Sequence, residues 1–81
     1  MFAITVAGNV AAFTAEGTTI VVRRNRATKS IRVSLWDGDG RERSGDPRNR
    51  IFASDAAGAR AAREYVTQIA DESVTASKKW W

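Results

Sequence analysis

The hydrophobic positions of this chain keep a period of two up to about residue 53 and a helical period after it. Phe2, Ile4 and Val6 alternate with Ala3, Thr5 and Ala7, the pattern of a strand with one face buried. Gly8-Asn9 follows, a pair suited to a type II′ or I′ hairpin turn, and Val10 to Ala15 returns as an alanine-rich second strand. Glu16-Gly17 is a second turn signal. Thr18 to Arg24 is dense in β-branched residues, which fit a pleated surface. Asn25 to Thr28 turns the chain again, Lys29 to Trp36 alternates cleanly, and Arg50 to Ala53 is a short fifth strand.

Ser54 or Asp55 then caps a helix, where an acidic side chain complements the N-terminal dipole. Stepping about 100° per residue gathers Gly58, Ala59, Ala62, Tyr65, Val66, Ile69 and Ala70 on one side. Arg60, Glu64, Thr67, Gln68 and Asp71 fall opposite, so the spacing predicts one amphipathic helix of roughly 16 to 18 residues, fading at Glu72 to Ser73. Gly58 on the apolar stripe is costly for a helix, and a close backbone approach would explain it.

Strands followed by one helix predict an α+β fold, an antiparallel meander of three to five strands with a C-terminal amphipathic helix packed on one sheet face. One domain is expected over residues 1–73, with 74–81 a tail ending Lys78-Lys79-Trp80-Trp81. The helix should cover Ile20, Val22, Ile31, Val33, Leu35 and Phe52. The other face should carry Thr19, Val21, Arg23, Ser30, Arg32, Ser34, Trp36 and Arg50, with no helix left to cover it.

Composition narrows the chemistry. The chain has 81 residues and neither cysteine nor histidine, which removes disulfides, thiolate metal sites, the usual zinc ligand and the commonest general base. No cofactor, metal or small-molecule substrate is expected, and no enzymatic activity. An apolar run long enough to span a membrane is absent, no signal peptide is evident, and the expected compartment is the cytoplasm. The net charge is +4, unevenly placed. Nine basic residues against four acids fall between Arg23 and Arg50, while residues 55 to 72 hold two arginines and four acids. Arginine's planar fork suits phosphate and base edges, although a solvated basic surface has the same composition.

The segment LWDGDGRERSGDPRNRIF, residues 35–52, holds four acids, four arginines and three glycines. Asp37 and Asp39 suggest a calcium loop, but in one register Arg41 and Glu42 take the fifth and sixth positions, and in the other Leu35 takes the first. The turn dipeptides Asp37-Gly38 and Asp39-Gly40 make it a strand connection in any case. Its Arg41, Arg43 and Arg48 would hold backbone phosphates.

Residues 31–66, IRVSLWDGDGRERSGDPRNRIFASDAAGARAAREYV, resemble the N-terminal arm-type DNA-binding domain of phage tyrosine recombinases. The likeness lies in a strand, an acidic-glycine turn followed by arginines, a strand ending in Phe52, and a helix rich in alanine, arginine and glutamate. It covers under half the chain. The resemblance implies a three-stranded sheet on one helix, with the sheet entering the DNA major groove, in a free-standing and phage- or mobile-element-like binder.

Two functions follow. In the first, Arg23, Arg32 and Arg50 on the open face reach phosphates or bases of DNA or RNA, Trp36 stacks or wedges, and Arg41, Arg43 and Arg48 grip the backbone. In the second, a non-enzymatic inhibitor or interaction module meets a host protein through the sheet face or an edge strand, anchored by Trp36, Trp80 and Trp81. A homodimer sealing the open face fits either.

Overall fold

The computed structural model describes residues 3–15 and 17–69. Five strands, β1 (Ala3–Ala7), β2 (Val10–Ala15), β3 (Thr18–Asn25), β4 (Ser30–Asp37) and β5 (Arg50–Ala53), precede one helix, α1 (Ala56–Ile69). Each strand pairs antiparallel with its neighbour in sequence, giving one sheet in the order β1-β2-β3-β4-β5. The α+β meander expected from the pattern is the fold, with five strands where the recombinase resemblance implied three. Gly8 opens the first turn at φ 58°, with Asn9 outside the left-handed region, which is the type II′ choice.

Register decides the faces. Ala11, Phe13, Ile20, Val22, Ile31, Val33 and Leu35 are buried on the helix side, and Phe52 packs against them half-buried. Ala59, Ala62 and Val66 of α1 close over them from above β4 and β5. The largest fully buried side chains are Phe13, Ile20, Val22, Ile31, Val33, Leu35 and Val66, each stabilising the fold by roughly 1.5–3 kcal/mol. On the same side of β1, Val6 remains 47% exposed.

Asp55, rather than Ser54, caps the helix: its Oδ1 accepts the Gly58 N–H at 2.7 Å and its carbonyl accepts the Ala59 N–H at 2.9 Å. Gly58 stands where the sequence needed a close approach. A Cβ there would lie 1.8 Å from the Ala53 carbonyl oxygen, so only glycine lets the first helical turn rest on the end of β5. Expectations for Phe2, Glu16, Ala70, the fading of the helix at Glu72 to Ser73 and the Lys78–Trp81 tail lie outside the described residues. No helix among the described residues is long and apolar enough to cross a membrane.

Candidate nucleic-acid interface

The strand period puts Arg23, Arg32, Ser34 and Trp36 on the face away from the helix, and the pairing of β3 with β4 sets Arg23 directly opposite Arg32. Trp36 folds back along its own strand: its Nε1–H donates to Ser34 Oγ at 3.0 Å, and Ser34 Oγ lies 3.5 Å from the Val21 carbonyl. Ser34 is only 5% exposed although it lies on a face without a helix, and its hydroxyl accepts from the indole. Trp36 itself is half-exposed.

Arg50 is not on this face. It pairs with Val33, a helix-side residue, and its guanidinium lies 4.9 Å from the centroid of the Tyr65 ring, a cation–π contact. The physical reason is the period itself: residues two apart share a face, so Phe52 cannot point at the helix unless Arg50 does too. Ile51 takes the open-face position instead, opposite Arg32 and 71% exposed.

The connection between β4 and β5 is more ordered than a strand linker needs to be. Asp37 N–H donates to the Arg41 carbonyl and Arg43 N–H to the Leu35 carbonyl, both at 2.8 Å, so Trp36 bridges to Glu42 in a miniature hairpin. Gly40 supplies the left-handed residue of its turn, at φ 89°. Glu42 thereby reaches the open face, where its carboxylate accepts from Arg32 at 2.9 Å. Beyond it, Asn49 plugs the ladder where β5 has not yet begun. Its Oδ1 accepts the Leu35 N–H at 3.0 Å and its Nδ2 donates to the Arg43 carbonyl at 2.8 Å. Tyr65 ties the loop to the helix, donating its hydroxyl to the Arg48 carbonyl at 2.5 Å. Neither Asn49 nor Tyr65 stood out as a site residue in the sequence, because both act through backbone atoms distant in the chain.

Arg41, Arg43 and Arg48 pair with aspartates of their own loop. Arg43 pairs with Asp37 and lies 4.0 Å from Asp46, and Arg41 is 3.6 Å from Asp39. Arg48 grips Asp46 with both Nε and Nη2, at 3.0 and 2.8 Å. The Arg48 side chain, then its backbone N–H, holds the Asp46 carboxyl down to about 2 from its ordinary 3.8, and Asp46 in turn raises Arg48. Residues 37 to 50 carry four acids and four arginines and so no net formal charge, and Arg41, Arg43 and Arg48 each have an aspartate of the loop beside them. Among the described residues no group of three or more His, Cys, Asp or Glu side chains gathers.

A second concentration of basic residues lies at the other end of the sheet. Arg23, Arg24, Arg26, Lys29 and Arg32 fall within ten residues that contain no acid, around the turn joining β3 to β4. Asn25 Oδ1 shapes that turn by accepting from the N–H groups of Ala27 and Thr28 at 3.0 and 3.2 Å. Arg23, Arg26 and Lys29 are exposed, and no carboxylate among the described residues lies within ion-pair distance of them. Lys29 adopts φ 53°, a left-handed conformation in which glycine or asparagine is the usual residue.

Comparison with known proteins returns no matching family model, no matching curated relative and no matching solved structure.

Proposed function

We propose that this chain is a small non-enzymatic module that binds nucleic acid through the basic end of the β3–β4 hairpin and the adjoining open sheet face. The observation that carries the reading is the separation of charge. Arg41, Arg43 and Arg48 of the loop are paired with their own aspartates, whereas Arg23, Arg26 and Lys29 are exposed with no carboxylate within ion-pair distance among the described residues. Such cations displace counterions from a phosphate backbone, which makes affinity fall with salt. Arg32 and Trp36 extend the same surface over the sheet.

Anisotropy titration of labelled DNA at several salt concentrations tests this. Binding should weaken as salt rises, and Arg26→Ala should reduce the slope of log K against log salt by about 0.7 to 0.9. Arg41→Ala and Arg48→Ala should change affinity far less than Arg23→Ala or Arg26→Ala. No binding at low salt would end the proposal. A protein partner is the second reading, favoured by Ile51, whose apolar side chain is 71% exposed beside Arg32 on the open face.

A further inference from the structure

We infer that the open sheet face takes single-stranded rather than duplex nucleic acid, with a base on the Trp36 indole and a phosphate between Arg23 and Arg32, in competition with the Glu42 carboxylate. This rests on the proposed nucleic-acid function and specifies the ligand of the same surface. Its centre is a shallow depression of about 200 Å³ lined by Val21, Arg23, Arg32, Ser34, Trp36 and Glu42.

Three observations carry it. First, Arg23 and Arg32 face each other directly across two strands, and like charges so placed repel. Only Arg32 has an acidic partner among the described residues, Glu42 at 2.9 Å, and the pair is exposed enough to exchange. An anion between the two guanidinium groups relieves the repulsion. The only carboxylate lining the depression already sits beside one of them, where a phosphate oxygen would sit.

Second, the indole of Trp36 is oriented in advance. Its N–H is held by Ser34 Oγ at 3.0 Å, which turns the Nε1 edge toward the strand and sets the ring's orientation, and the half-exposed ring offers a surface on which a base can stack. Arg32 is four positions along the same strand, about 13 Å from Trp36 at Cα, and the backward fold of the indole shortens the distance between them. The neighbouring open-face positions Ala12, Thr14 and Thr19 are small, which keeps the platform unobstructed.

Third, the breadth of the sheet argues against duplex on this face. Five strands spaced about 4.8 Å apart span about 19 Å, and a B-form major groove is about 12 Å wide. A two-stranded ribbon enters such a groove; this sheet face does not. A single strand exposes bases to the indole at no unpairing cost.

The ligand chemistry, a base joined to a phosphate, is shared by a mononucleotide and a strand, so both are tested. Anisotropy of a labelled oligo(dT) of about twelve nucleotides is compared with a duplex of equal length, with thymidine 5′-monophosphate as competitor. The single strand should bind more tightly than the duplex. Trp36→Ala should weaken single-strand binding roughly 5- to 100-fold and leave duplex binding nearly unchanged. Trp36→Leu, which keeps a large apolar side chain but has no aromatic face, should do the same in a protein whose melting shows it folded. Glu42→Gln should tighten single-strand binding roughly 1.5- to 5-fold, the range expected on freeing Arg32 from an exposed ion pair. Equal affinity for strand and duplex, an unchanged Glu42→Gln variant, or a monophosphate binding as tightly as the strand would each overturn the inference. Salt-dependent binding of both DNA forms at equal affinity would leave the wider nucleic-acid function standing; no binding of either would remove both.

Discussion

Gly58→Ala is a test of the packing that holds the helix on the sheet. The added Cβ would stand 1.8 Å from the Ala53 carbonyl oxygen, 2.6 Å from its carbonyl carbon and 3.1 Å from its Cα. All three are backbone atoms of β5, so no side chain can rotate away. The first helical turn would have to retreat by roughly 1.6 Å to restore an ordinary contact. Retreat also pulls on the Asp55 cap of Gly58 and on the Ser54 N–H, which donates to the Lys29 carbonyl at 3.1 Å. Overpacking of this kind costs about 3 kcal/mol at the upper end of its usual range. Alanine returns about 1 kcal/mol through helix propensity, leaving a net loss of about 2 kcal/mol. For a domain of this size that is a melting-point drop of roughly 8–16 °C. Thermal unfolding followed by circular dichroism measures it. At an open helical position the same substitution stabilises, so a variant melting at or above the parent temperature would refute the packing argument.

Further expectations concern the loop and the hairpin end. Asn49→Ala should lower stability by about 1–3 kcal/mol, because the part-buried Leu35 N–H loses its acceptor; urea unfolding gives the loss and faster exchange of the Leu35 amide locates it. Asp46 titrates below its ordinary range when folded, so its stabilising contribution is complete above pH 3.8 and disappears as pH falls from there to about 2. Acid unfolding of Asp46→Asn should lack that part of the pH dependence, and an unchanged profile would contradict the Arg48 pairing. Tyr65→Phe should cost about 0.5–1.5 kcal/mol in urea unfolding through the lost bond to the Arg48 carbonyl. Lys29→Gly should raise stability by about 0.5–1 kcal/mol, by relieving the left-handed lysine, while weakening salt-dependent DNA binding. Stability and binding moving together would argue that Lys29 serves the fold alone.

The alternation of side chains from Thr18 to Trp36 was enough to identify five of the buried core residues and the open face opposite them, because a period of two leaves each strand only two ways to face. Likewise the glycine on the apolar stripe of the helix points to a close approach, and the folded chain makes that approach at Ala53. These properties are local: they follow from geometry repeated every two or four residues. The face that Arg50 takes is not legible in this way, because the phase of β5 depends on its pairing with β4, across a loop of a dozen residues in which no pattern carries through. The sequence offered acids and arginines in the loop but no means of knowing which would pair. Coulomb attraction depends on distance, and only the folded loop brings Arg43 to Asp37, Arg48 to Asp46 and Arg32 to Glu42. That pairing moves the unbalanced charge from the loop to the far end of the β3–β4 hairpin. Asn49 belongs with these cases, since its amide completes a ladder whose other members lie fourteen and six residues away. Local periodicity thus sets the layers, while the partners of each charge are chosen by contacts that exist only once the chain has closed on itself.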